Sequence, residues 1–209
     1  YAVDGHAALL DRVKRALMKS YNTPQISRNG RAVTITFSDF VVDVVPGFNR
    51  QGGGYLIPDP TRQTWIGTDP KKHVALWSET NTAHGRDFVP LVKMLKAWNK
   101  THSALIASFH LETMARHILS GITISDFPSG VRFFFDKART LISNTFHDPA
   151  GFPGLVGEMN TADRSGAKSR LETAYARALA AEQLATAGST AAAFEKWQQL
   201  FPGYFPAYG

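Results

Sequence analysis

The sequence predicts an α+β protein in two parts: a strand-rich stretch over residues 1–68 and a helical lobe over residues 69–209. Three observations carry that prediction. Residues 33–38 (Val-Thr-Ile-Thr-Phe-Ser) alternate apolar and polar side chains, the period of a half-buried strand, and 40–46 continue as a β-branched run. From Asp69-Pro70 onward the apolar residues recur at helical spacing instead. Residues 164–187 form a long Ala-rich segment closed by Gly188, the usual residue just past a helix end.

The elements follow in order. Residues 4–21 read as a helix with Asp4 as its cap and Leu9, Leu10, Val13 and Leu17 on one side. Residues 22–30 are turn-rich, and the strand pair ending at Pro46 comes next. Continuing the strand period places Val41, Asp43 and Val45 on one face and Val42 and Val44 on the other. Asp43 is then one acid on an otherwise apolar surface, and burying it is costly unless something positive meets it. Two readings remain open: an edge strand whose acid reaches water, or a carboxylate held ready for a metal ion.

Residues 47–54 hold the Gly52-Gly53-Gly54 run. It lacks the spacing of a phosphate-binding loop and no helix follows, so it reads as a hairpin loop. Residues 55–58 are a returning strand, with another near 63–67. Helices are expected over 87–99, 104–119, 130–142, 164–187 and 190–200, and an exposed connection over 148–162. In the first of these, Leu91, Met94, Leu95 and Trp98 make the apolar face, while Lys93, Lys96 and Lys100 line another. In the second, Leu105, Phe109, Met114 and Ile118 are the expected core, and Glu112 and Arg116 an i, i+4 ion pair. Phe194 and Trp197 point inward from the last helix.

Composition narrows the partners. The chain has 209 residues, 44% hydrophobic, enough for a sizeable core. It has no cysteine, which rules out disulfides and thiolate metal sites. His110 and His117 share a helix face without a third ligand placed by sequence, so no zinc site is expected. No segment has the length of a transmembrane helix, and the N-terminus lacks a secretory pattern, so the expected location is cytoplasmic, away from the membrane. The net charge of +6 favours anionic partners, yet the basic residues are dispersed. Discrete phosphate contacts fit that pattern better than a nucleic-acid stripe, and a strand-rich part followed by a lysine-bearing lobe suits a nucleotide held between the two.

Five segments then resemble one family in the right order. Phe40-Val41-Val42-Asp43-Val44-Val45-Pro46-Gly47-Phe48 resembles the third-acid strand of the template-independent nucleotidyltransferases that include oligoadenylate synthetase and cGAS. Tyr55-Leu56-Ile57-Pro58-Asp59 and Trp65-Ile66-Gly67-Thr68-Asp69-Pro70, with His73, resemble the bacterial branch, the CD-NTases of CBASS antiphage signalling. Leu91-Val92-Lys93-Met94-Leu95-Lys96-Ala97-Trp98-Asn99 is similar to their Lys-Xaa-Trp helix. Ser108-Phe109-His110-Leu111-Glu112 is similar to the next helix, and Trp197-Gln198-Gln199-Leu200-Phe201-Pro202-Gly203-Tyr204-Phe205-Pro206 to the C-terminal signature.

The resemblance implies a polymerase-β-like mixed sheet with a C-terminal helical lobe and a nucleotide cleft between them. It implies an enzyme that joins nucleoside triphosphates, ATP among them, into a cyclic di- or trinucleotide second messenger. Two Mg²⁺ ions, or Mn²⁺ in their place, would assist. By resemblance Asp43 is a catalytic metal ligand, Lys96 clamps the donor triphosphate, Ser108 donates to the phosphates and Phe109 stacks on the base. Partners would be an effector that senses the product and a regulatory protein, with no need of nucleic acid. Thr68, Asp69 and Asn81 lie where an acceptor base could be read, without assigned roles.

The family's Gly-Ser turn and Asp-Xaa-Asp pair are not in this sequence: Gly188-Ser189 is the one Gly-Ser, and no Asp-Xaa-Asp occurs. The expectation is therefore the C-terminal portion of a longer enzyme, inactive by itself. The alternatives are a catalytically incomplete module that binds nucleotide or a partner, and a synthase of linear oligonucleotides. The tail ending Tyr208-Gly209 could also suit conjugation.

Overall fold

The computed structural model describes residues 5–21 and 25–209, and divides into two compact units, Tyr1–His73 and Val74–Gly209. The division falls inside a helix, a few residues beyond the change in periodicity.

In the first unit α1 (His6–Ser20) leads into an antiparallel sheet of β1 (Gln25–Asn29), β2 (Ala32–Thr36) and β3 (Val41–Val44), in that order. A second antiparallel sheet holds β4 (Phe48–Asn49), β5 (Tyr55–Asp59) and β6 (Thr64–Thr68). The stripe of α1 packs on the first sheet: Leu10, Ile26, Val33 and Ile35 are buried, with Val13, Leu17 and Val44 against them. Leu9, expected on that stripe, is only half-buried. Asp4 lies outside the described residues, and Gly5 occupies the cap position.

Strand β1 replaces part of the turn-rich segment expected over 22–30. With Ile26 as its one buried residue it carries no alternation to read. Its register comes from the two-residue loop Gly30-Arg31, where Gly30 adopts φ +54°. Arg31 then reaches the carboxylate of buried Asp59 at 2.8 Å, joining the first hairpin to the end of β5. Burial raises the Asp59 pKa, but the Arg62 amide, the Arg31 guanidinium and the Thr61 amide outweigh it and hold it below the ordinary value. The triple-glycine segment turns β4 into β5, with Arg50 and Gly54 bonded across it at 3.0 Å.

The second unit is helical. Helix α2 (Pro70–Ala83) starts with proline at its first position and Asp69 accepting from the Lys72 amide at 3.0 Å. Then come α3 (Phe88–Thr101), α4 (Ser108–Leu119) and α5 (Phe127–Leu141), the short pair β7 (Phe146–His147) and β8 (Leu155–Val156), α6 (Thr161–Thr186) and α7 (Thr190–Leu200). Leu91, Leu95, Trp98, Leu111, Met114, Phe134 and Phe135 form its centre, with Trp98 edge-on to Phe135 at 4.8 Å. Ala167, Leu171, Ala174, Ala178 and Ala181 make a small-residue seam along α6, which lets it pack closely on its neighbours.

Three boundaries differ from expectation. Helix α5 begins three residues early because Asp126 accepts from the Ser129 amide at 2.8 Å and Pro128 sits in the first turn. Helix α4 begins at Ser108, four residues late, because Ser103 and Ala104 adopt φ +74° and +49°. The connection over 148–162 contains β8 and the first residues of α6.

His110 is buried on α4, and its Nε2 has no hydrogen-bond partner. The backbone of Gly157 packs directly on it: a Cβ there would stand 2.6 Å from Nε2, and φ is +96°. Burial, then the nearby Arg164 charge, lowers the His110 pKa below its ordinary 6.5. A histidine with a lowered folded pKa binds its proton more tightly when unfolded. Stability is therefore complete above about pH 6.5 and declines as the pH falls toward the folded value, by at most about 1.4 kcal/mol per pH unit for one proton. Urea unfolding between pH 7.5 and 5 should show this slope, and His110→Leu should lose it relative to the parent. Equal slopes in both would contradict the assignment.

Candidate functional site

Asp43 is on β3, which pairs with β2 alone among the described residues and puts Asp43 opposite Thr34. Val42 and Val44 lie on the face that meets α1, across from Ile35 and Val33. Asp43 shares the other face with Thr34, Thr36 and Val41. Of the two readings left open by the sequence, the structure agrees with the edge strand whose acid reaches water. Asp43 is exposed on an open strand, so its charge stays solvated and incurs little desolvation cost. The Thr34 hydroxyl donates to Oδ1 at 2.5 Å, which aims the carboxylate and leaves Oδ2 open. Val41, 60% exposed, and Phe40, 54% exposed, make the surrounding surface unusually apolar for open strand.

The other three candidates are in the helical unit. Lys96 on α3 is half-buried, and its ammonium meets Glu112 of α4 at 2.6 Å. Glu112 does not serve Arg116, as the i, i+4 spacing suggested. Arg116 instead donates to the Thr80 hydroxyl at 3.1 Å. Sequence spacing reports neighbours along one helix, and here the partner came from another.

Ser108 is the first residue of α4 and exposed, and the cap residue Ala107 has no side-chain acceptor for that turn. Ser108 and Glu112 are one turn apart on the same helix face. Lys96 thus meets α4 at Glu112, one turn along the helix from Ser108, and an ammonium and a hydroxyl near a helix N-terminus suit an anionic oxygen ligand. Phe109, half-buried, has its ring centre 6.5 Å from that of Trp77, edge to face. It is thus partly core, as its spacing with half-buried Leu105 allowed.

Asn99 is a positioning residue that spacing did not single out. Its buried side chain donates to the Ile106 carbonyl at 2.7 Å and accepts from the Ile106 amide at 3.3 Å. Those bonds satisfy the turn between α3 and α4 and fix where Ser108 starts its helix. Asn81 accepts from the Val89 amide at 2.9 Å and so ties α2 to α3. Lys93 and Lys100 are exposed. The C-terminal tail folds back: Gln198 donates to the Pro206 carbonyl at 3.1 Å, and the Tyr208 ring lies 5.1 Å from that of Phe194.

Residues 1–81 match the family model of the Second Messenger Oligonucleotide or Dinucleotide Synthetase domain. The "Probable cyclic nucleotide synthase" of Bacillus cereus is 24% identical over 96% of this chain and 63% of its own length. The Cyclic AMP-AMP-AMP synthase of an Acinetobacter species is 38% identical over 46% of this chain and 28% of its own. The chain thus spans less than two thirds of either relative. Among solved structures, E. coli MS115-1 CdnC with ATP has a TM-score of 0.75 at 18% identity, covering 99% of this chain and 75% of that one. At that identity the likeness concerns the fold alone: an α+β architecture shared with that protein.

Proposed function

We propose, from the premise that this chain is a homologue of the bacterial cyclic nucleotide synthases, that the whole protein joins nucleoside triphosphates into a cyclic second messenger. The observation that carries the reading is the Lys96–Glu112 contact at 2.6 Å, one turn from Ser108 at the open N-terminus of α4. An ammonium and a hydroxyl near the start of α4 offer donors to a triphosphate, which would compete with Glu112 for Lys96. Phe109 offers a ring beside them, and base stacking of that kind contributes about 1–3 kcal/mol.

In the transfer, a ribose hydroxyl oxygen of one nucleotide forms a bond to the α-phosphorus of another, and the bond to pyrophosphate breaks. In this reading Lys96 and Ser108 would hold the leaving phosphates, and the Asp43 carboxylate would orient the attacking hydroxyl and draw its proton. Asp43 fits a hard divalent cation: an oxygen ligand, exposed, aimed by Thr34, with Oδ2 open. Two Mg²⁺ or Mn²⁺ ions, when bound, would acidify that hydroxyl and stabilise the leaving pyrophosphate. One carboxylate cannot serve both, so Asp43 would complete a set with two further acids.

We place the product in antiphage signalling, sensed by an effector and controlled by a regulatory partner. No described helix is long and apolar enough to cross a membrane, and we place the protein in the cytoplasm. The deciding experiment incubates full-length protein with all four labelled nucleoside triphosphates and Mg²⁺. A phosphatase-resistant cyclic product is expected. A phosphatase-sensitive oligomer would make it a linear synthase, and binding without turnover a nucleotide-binding module.

A further inference from the structure

The helical unit contains a concavity lined by residues to which the nucleotide reading gives no role. A cavity of about 590 Å³ opens between α3, the start of α5, the end of α6 and α7 with the turn after it. Met94, Phe127, Phe194, Trp197, Phe201 and Phe205 supply most of its wall. The rings hold one another in place: Phe194 and Phe205 are edge to face at 5.2 Å, and Trp197 and Phe201 lie parallel at 6.4 Å. Walls fixed in this way are formed before any ligand arrives. The volume falls within the roughly 300–1,000 Å³ typical of small-molecule sites, which are likewise mostly apolar and aromatic with few polar anchors.

The anchor here is Lys93. It is exposed, it lines the cavity, and among the described residues its ammonium pairs with no carboxylate. The hydroxyl-bearing Thr190 and Tyr204 also line the cavity. The chain's own tail is not the occupant, because Pro206 is held by Gln198 and Tyr208 lies against Phe194, and neither residue lines the space. The wall is almost wholly apolar, Lys93 reaching it through its alkyl stem, and the exposed ammonium beyond that wall, unpaired among the described residues, matches a ligand with a flat apolar body and one acidic group.

We propose that this cavity is a binding site for a small aromatic organic anion, its ring between Trp197 and the Phe194–Phe205 pair and its acid on Lys93. The site stands independently of the nucleotide reading. Lys93 and Lys96 are nonetheless one turn apart on α3, so the two sites share a helix.

The test uses full-length protein and the anionic probe 8-anilino-1-naphthalenesulfonate at neutral pH, read by probe emission and Trp fluorescence. One saturable site per chain is expected. Lys93→Glu should weaken it by about tenfold, the scale of one lost charge-assisted contact. Ala97→Trp, which fills the space from a half-buried position, should remove it. The uncharged analogue N-phenyl-1-naphthylamine should bind more weakly and ignore Lys93→Glu. Equal affinity for both probes, or Lys93→Glu binding as tightly as the parent, would overturn the proposal. So would several weak sites with loss of the near-UV circular dichroism signal. A concentration-dependent dimer abolished by Lys93→Glu would replace it with an interface between copies.

Discussion

Asp43→Asn is expected to lower product formation by the full-length protein by about 10³-fold or more, roughly 4 kcal/mol of transition-state stabilisation. The substitution keeps nearly the same shape and an oxygen that can accept from Thr34, so the 2.5 Å contact that aims the side chain can persist. What it removes is the charge. A hard cation loses an anionic oxygen ligand, and the attacking hydroxyl loses a group that draws its proton. Because Asp43 is exposed on β3, the thermal midpoint should move little, within the range of ordinary surface substitutions of about 0.5 kcal/mol. The measurement is initial rate with labelled nucleotides, beside a thermal melt of the same sample. Normal turnover in this variant would remove Asp43 from the chemistry. Lost turnover with a large drop in midpoint would make Asp43 a structural residue instead. Thr34→Val is the companion test: it should cost far less, because it frees the carboxylate without removing it.

The contrast between Asp43 and Lys96 indicates which parts of the protein were legible in sequence. Strand β2 and helix α3 declare themselves by apolar period, β3 by its β-branched run before Pro46, and α6 and α7 by the Ala-rich run broken at Gly188 and the aromatic residues that follow it. Strand β1 does not, since one buried Ile26 gives no period, and its partner and the Gly30 turn define it. The start of α4 was unreadable for a related reason. An Ala-Leu-Ile-Ala run favours helix, but the buried Asn99 side chain captures the Ile106 backbone from another helix and holds the turn open. Asp43, Lys96, Ser108 and Phe109 were singled out by resemblance, and the structure shows which element carries each. The surroundings were legible only in part: the solvated edge strand around Asp43 was one of two open readings, and Glu112 rather than open water beside Lys96 was not foreseen. Each of these depends on contacts between segments far apart in sequence, which local periodicity does not encode.

Lys96→Met carries the second large effect: kcat/KM for the nucleoside triphosphate should fall by about 10²-fold, mainly through KM. Methionine keeps the unbranched stem that extends from α3 toward Glu112 and removes the ammonium, so packing changes little and the proposed phosphate contact is lost. The pair with Glu112 is partly exposed, with side-chain accessibilities of 40% and 21%, so breaking it should cost less than about 1 kcal/mol of stability. That small figure separates the two roles open to Lys96. If its task were only to hold α3 against α4, Lys96→Met would lower the midpoint slightly and leave KM unchanged. Glu112→Gln sharpens the distinction. The amide still accepts from Lys96 and keeps it in place, but the negative charge that competes with a triphosphate is gone. Nucleotide affinity, measured by calorimetry with a non-hydrolysable ATP analogue, should hold or improve in Glu112→Gln and collapse in Lys96→Met. Equal losses in both variants would mean that the intact ion pair, rather than the free ammonium, is what the site requires, and Lys96 would then be a positioning residue for α4 and Ser108.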